Sequence, residues 1–239
     1  MSLQCQDLYF GFQYPLLDTP LNVQFHTSNL YVIFGNNGCG KTSFIKTIAR
    51  LYKALSGKIL YEKIDIFQMN KQSFAKTLSF LLTTRPFLMH HTIFDIIALG
   101  RIPYSEWHGK LSSSDHEIIL HYAQLFQIEP ILEKPAHQVS DGQLQKALIA
   151  KTLAQQTPIL ILDEPLSYLD YGTKKYLLRV LKTIAHKENK LIVLSSHDVT
   201  MSTEFADAIL LIHQKKYAFD TAQNIQQYPL FHQFLNVEV

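Results

Sequence analysis

Apolar residues in this chain fall into short runs and helical stripes. Leu30-Tyr-Val-Ile-Phe34 and Ile159-Leu-Ile-Leu162 are compact apolar runs, the pattern of strands buried in a sheet. Between and after them the period changes. Phe44, Ile45, Ile48 and Leu51 share one face of a helix beginning at Lys41, and Leu144, Ala147 and Leu148 share one face of a helix that runs to Ala154. The stretches 93–100 and 114–126 are also helical by period, with Thr92 and Ser114 as expected caps. From Lys215 onward the chain is rich in glutamine but keeps a period in Phe, Ile and Leu, which predicts a closing hairpin and helix. There is no internal repeat and no low-complexity linker.

Composition narrows the class. Hydrophobic residues make up 47% of 239 residues and charged residues 18%, enough apolar material for a folded core and too much for a disordered chain. The 22 Lys+Arg against 20 Asp+Glu leave a net charge of +2, which argues against bulk attraction to nucleic acid. No apolar run approaches the ~18–20 residues that span a bilayer. The first residues carry no basic cluster followed by an apolar stretch, so no secretory leader is expected. Cys5 and Cys39 cannot build a disulfide framework, and no Cys/His spacing reads as a zinc site. A soluble, cytosolic protein is expected.

Glycine is scarce, with 9 in the chain, yet Gly35, Gly38 and Gly40 lie close together. They sit between the strand ending at Phe34 and the helix beginning at Lys41. The segment Gly35, Asn36, Asn37, Gly38, Cys39, Gly40, Lys41, Thr42 fits G-x-x-x-x-G-K-[ST], the phosphate-binding loop. Backbone N–H groups from Gly38 to Thr42 and the helix start would surround the α- and β-phosphates. Lys41 would reach the β/γ oxygens, and the Thr42 hydroxyl would ligate Mg²⁺. The plainer alternative is a glycine turn joining a strand to a helix. The strand 159–162 ends in Asp163-Glu164-Pro165, which puts two carboxylates at the C-terminal edge where open α/β sheets bind ligands. Asp163 is placed to hold Mg²⁺ through a water and Glu164 to polarise an attacking water. Surface strands also end in Asp-Glu without any such role.

Val139-Ser140-Asp141-Gly142-Gln143 precedes the helix that runs to Ala154. A serine cap and free amides at a helix start make a second phosphate-binding device; alone, the same residues serve equally as an ordinary capped helix. The pentapeptide closely resembles the L-S-G-G-Q signature of ATP-binding cassette ATPases. Further motifs follow the order of that family: Ser167-Tyr-Leu-Asp170 resembles its D-loop, and Leu194-Ser-Ser-His197-Asp198 its switch-histidine strand. Phe12, in Leu8-Tyr-Phe-Gly11-Phe12, falls where the family has an adenine-stacking aromatic.

The resemblance implies an α/β fold: a P-loop NTPase core, a mixed sheet flanked by helices, formed by 1–83 and 158–239, with a helical signature subdomain over 84–157. It implies a head-to-tail homodimer enclosing two ATP molecules. Phe12, Gly35 to Ser43, Asp163, Glu164 and His197 of one chain would then meet Ser140, Asp141, Gly142 and Gln143 of the other. Glu164 and His197 would be catalytic, with His197 touching the γ-phosphate, and Asp170 would order the interface. Three positions depart from the pattern. Asp141 replaces a glycine and brings a carboxylate towards a phosphate. Cys39 replaces a serine; beside Lys41 and a helix start its thiol is expected to titrate low, so that alkylation blocks ATP binding. Thr83, after Leu78-Ser-Phe-Leu-Leu82, stands where the family has a glutamine touching Mg²⁺ and the permease.

Ala98-Leu-Gly-Arg101-Ile-Pro-Tyr104 resembles the helical region of cassettes serving iron-chelate, haem and cobalamin importers. It implies a groove from Arg85 to Tyr104 for an integral-membrane permease, with a periplasmic or surface substrate-binding protein as an indirect partner. The expected place is cytoplasmic, peripheral at the inner face of the membrane, with ATP and Mg²⁺ as cofactors and no nucleic-acid partner. A cassette ATPase without a permease and a nucleotide-sensing module that no longer turns over remain as alternatives.

Overall fold

The computed structural model describes residues 1–83, 90–105 and 110–236. The first strands, β1 (Ser2–Tyr9), β2 (Leu21–His26) and β3 (Asn29–Phe34), lead into the phosphate loop and α1 (Lys41–Ile48). β4 (Ser56–Tyr61), β5 (Ile64–Asp65), α2 (Lys71–Thr77) and β6 (Leu78–Leu81) follow. Then come α3 (Ile93–Ala98), a 3-10 turn (Leu99–Tyr104), α4 (Ser113–Leu125) and α5 (Asp141–Ala154). The chain returns through β7 (Ile159–Leu162), α6 (Tyr171–Lys187), β8 (Leu191–Ser195) and α7 (Val199–Phe205). It closes with the hairpin β9 (Ala208–His213) and β10 (Lys216–Thr221), then α8 (Pro229–Asn236).

Two sheets result. The larger has six strands in the order β10-β9-β3-β8-β7-β6, with β9, β3, β8, β7 and β6 parallel and β10 antiparallel to β9. The smaller is antiparallel, in the order β2-β1-β4-β5. The pattern of β3 explains its central place. Leu30, Val32 and Phe34 point into one apolar cluster with α3 to α8, while Tyr31 and Ile33 point into a second with α1 and the smaller sheet. A strand covered on both faces reads as a continuous apolar run, whereas β2 alternates Leu21, Val23 and Phe25 inward with polar residues outward.

Local differences from the pattern reading have local causes. Phe44, Ile45 and Ile48 of α1 are fully buried, but Leu51 lies beyond the helix end, after Arg50 turns left-handed, and is 50% exposed. Thr92 caps α3 in a reciprocal box with Asp95. The cap of α4 is Ser112 rather than Ser114, because Asp115 stands three residues beyond Ser112 and returns the bond. Among the described residues, no helix is long and apolar enough to cross a membrane.

Candidate nucleotide site

The phosphate loop, both acids, Ser195 and His197 stand at the C-terminal edge of the larger sheet, where β3, β7 and β8 end. After β3 the backbone turns sharply. A side chain at Gly35 would strike the Ile212 carbonyl, and Gly38 holds a φ of +79° in open space, so only glycine suits both. The loop delivers α1 with Gly40 at its N-cap and no side chain capping it, so the helix start faces the loop as a position suited to an anion. Lys41 is buried, and its Nζ donates to the carbonyls of Gly35 and Asn36. The ammonium thus already spans the hollow of its own loop.

Asp163 is 1% exposed at the end of β7. Three hydroxyls donate to its carboxylate. Thr42 Oγ1 and Thr83 Oγ1 reach Oδ2 at 2.9 and 2.7 Å, and Ser195 Oγ reaches Oδ1 at 2.7 Å. These come from α1, from the chain just past β6, and from β8. Glu164 follows with a φ of +49°, an uncommon value for a residue with a side chain. Its N–H donates to Ser195 Oγ at 2.8 Å, and its carboxylate Oε1 lies 2.6 Å from His197 Nε2. Ser195 therefore sets both acids, although the sequence reading passed over it. Its signal was a polar residue ending an apolar strand beside the site.

Ser140, Asp141, Gly142 and Gln143 lie elsewhere in the same chain. Ser140 caps α5, and its N–H and Oγ exchange bonds with Gln143. With Tyr168 and Asp170 they line a cavity of about 410 Å³ that shares no lining residue with the 310 Å³ cavity at Glu164 and His197. Asp141 opens the first turn of α5, where a carboxylate favours its own helix. Gln145, on the same helix, donates to the Pro165 carbonyl at 3.1 Å and ties α5 to the loop after the two acids. Asp170 caps α6 through Thr173.

Phe12 is 78% exposed, and its ring meets the edge of Tyr52 at 6.2 Å, with Lys46 over the Tyr52 ring at 5.3 Å. Tyr52 carries no motif, and the sequence reading missed it. The expectation for Cys39 is corrected. Lys41 does pull its thiol down, but burial pushes it up by more, so the group titrates above the usual thiol range. Cys5 is fully buried and also free.

A groove of about 330 Å³ between His91, Asp95, Leu99 and Ile102 lies on the helical side, with Ile102 61% exposed. Thr84, Arg85, Pro86 and Trp107 lie outside the described residues.

The ABC transporter family model matches residues 19–167, most of the chain and all of the phosphate loop, the signature and both acids. The chain belongs to the ABC transporter family. This ABC protein is 33% identical over 226 residues to an uncharacterized ABC transporter ATP-binding protein of Methanocaldococcus jannaschii, covering 94% of this chain and 78% of the relative. It is 30% identical to a petrobactin import ATP-binding protein of Bacillus anthracis, over 90% of this chain and 78% of that one. An iron(3+)-hydroxamate import ATP-binding protein of Bacillus subtilis is 27% identical, over 88% and 78%. A solved ATP binding subunit of an ABC transporter shares the fold at a TM-score of 0.84 with 20% identity, both chains covered in full. The protein binds ATP and is an ATP hydrolase of the ABC type.

Proposed function

We propose that this chain is the ATP-hydrolysing subunit of an importer for metal chelates of the iron-siderophore, haem or cobalamin type, acting as a homodimer on a membrane permease. The cargo class rests on the petrobactin and iron(3+)-hydroxamate import relatives. The observation that carries the reaction is the 2.6 Å contact of Glu164 with His197 beside the three-hydroxyl cradle of Asp163.

In this reading Lys41 exchanges its two loop carbonyls for the β- and γ-phosphate oxygens when ATP enters. Amides of the loop and of the α1 start bind the same phosphates, and Phe12 stacks on the base. The all-oxygen set of Thr42, Thr83 and Asp163 fits Mg²⁺, a hard cation, which when bound neutralises phosphate charge. Glu164 accepts the proton of the attacking water, and His197 orients it while hydrogen-bonding the γ-phosphate. Rate enhancement comes mainly from positioning and electrostatics. Ser140 to Gln143 point to a second copy. They line a cavity distinct from the one at Glu164 and His197, which supports a signature whose helix start stabilises the γ-phosphate held by a second copy. Asp170 would order that interface. The groove at Leu99 and Ile102 would take a segment of the permease, and the subunit would sit at the inner face of the membrane.

Phosphate release from ATP by the purified chain tests the reading. It should be abolished in Glu164→Gln with nucleotide binding kept; turnover by that variant would remove Glu164 from its role.

A further inference from the structure

The turn Leu99–Tyr104 has two sides with opposite character. Ile102 and Leu99 face the open groove, whereas Arg101 beside them turns inward and is 6% exposed. Its guanidinium makes bonds to three other parts of the chain. Nε donates to Asp115 Oδ1 at 2.7 Å, and Nη1 donates to the Ala154 carbonyl at 2.7 Å and to Gln156 Oε1 at 3.0 Å. The Tyr104 ring lies 4.3 Å from its carbon. Each partner is itself fixed. The other oxygen of Asp115 accepts from the N–H and hydroxyl of Ser112 and so closes the cap of α4. Ala154 is the last residue of α5, and Gln156 leads into β7. Next to them Gln155 donates to the Ala75 carbonyl at 2.7 Å, and Lys76 of α2 stands 5.2 Å from the Tyr104 ring.

The other end of α5 is the signature. At about 1.5 Å per residue, the 14 residues of α5 carry a displacement of its C-terminus to Ser140 and Gln143 as one rod. An ion pair taken out of water is weak evidence for stability, since apolar side chains of equal volume pack as well. A planar fork that satisfies three acceptors, one on α4, one at the end of α5 and one on the loop just after it, fixes direction as well as contact.

We propose that Arg101 is a positioning residue for ATP hydrolysis: it locks the groove turn, the start of α4 and the end of α5 into one body, and thereby aims Ser140 to Gln143 at the nucleotide of a second copy. The inference rests on the reading above that the signature acts across a dimer. It adds the part that joins the groove to that signature.

The test uses the purified chain with two variants. Arg101→Lys keeps the charge but not the fork. The pair Arg101→Met with Asp115→Asn removes both buried charges and so avoids stranding one of them. Binding of a fluorescent ATP analogue reads the phosphate loop alone, and phosphate release reads the assembled site. Both variants should bind the analogue within twofold of the parent, while kcat falls at least tenfold. In a Glu164→Gln background, half-maximal dimerisation should need at least tenfold more ATP. A kcat within twofold of the parent for Arg101→Lys, or loss of analogue binding in step with kcat, overturns the proposal. A Glu164→Gln chain with wild-type Arg101 that stays monomeric at saturating ATP defeats instead the reading of a shared site.

Discussion

Ser195→Ala removes one oxygen that serves two partners. In the folded protein Ser195 Oγ donates to Asp163 at 2.7 Å and accepts the Glu164 N–H at 2.8 Å, and the serine is fully buried. Its loss leaves the Glu164 N–H unsatisfied, at about 1–3 kcal/mol, and removes a hydrogen bond to a charged group, itself worth about 1.5–3 kcal/mol. Thr42 and Thr83 still hold the other carboxylate oxygen, so part of the loss is absorbed, and a net destabilisation of about 2–4 kcal/mol is expected. The larger effect falls on catalysis. Glu164 holds a left-handed backbone angle, and such angles persist only where neighbours impose them. Relaxation of that residue by even about 1.4 kcal/mol in transition-state alignment costs tenfold in rate. Urea unfolding measures the first quantity and steady-state phosphate release the second, with Thr83→Ala as the milder comparison because it removes one of two donors to the same oxygen. A Ser195→Ala protein within about 0.5 kcal/mol of the parent, with unchanged kcat, would refute the reasoning.

Two further outcomes follow from other contacts. Phe12→Ala should raise the KM for ATP at least about fivefold with little change in kcat, since base–aromatic stacking is worth about 1–3 kcal/mol and the exposed ring touches no catalytic group; an unchanged KM removes Phe12 from the base site. The Asp115 carboxyl is held down to about 2, first by the Ser112 hydroxyl and then by Arg101. A depressed acid stabilises the fold above its unfolded value and loses that contribution as pH falls through its folded one. Melting temperature should therefore drop between about pH 4 and pH 2, and the drop should be shallower in Asp115→Asn; equal slopes contradict the assignment.

Much of the fold was legible because it depends on short-range pattern. The runs 30–34 and 159–162 are continuous because both faces of those strands are covered, and the phosphate loop announces itself through glycines that the backbone needs. Thr92 and Ser140 were legible as caps from residue type and position, and the same reading misplaced the cap of α4 at Ser114 because it did not count the reciprocal residue, Asp115, that selects Ser112. What stayed hidden depends on three-dimensional neighbours. Leu194-Ser-Ser-His197 does not say which serine turns towards Asp163; the pairing of β8 with β3 and β7 decides it. Cys39 shows its charged neighbour in the sequence but not the burial that outweighs it. Arg101 looks like one residue of a family stretch, and only the packing of α5 against the turn brings Ala154 to its guanidinium.

The central claim is that one chain carries two halves of a site completed by a second copy. Light scattering on Glu164→Gln, with and without Mg-ATP and with bound nucleotide followed in parallel, tests it most directly. The account predicts a monomer without nucleotide and a dimer with ATP, lost when Ser140 is replaced by arginine. A monomer that holds ATP at saturation would contradict the shared site.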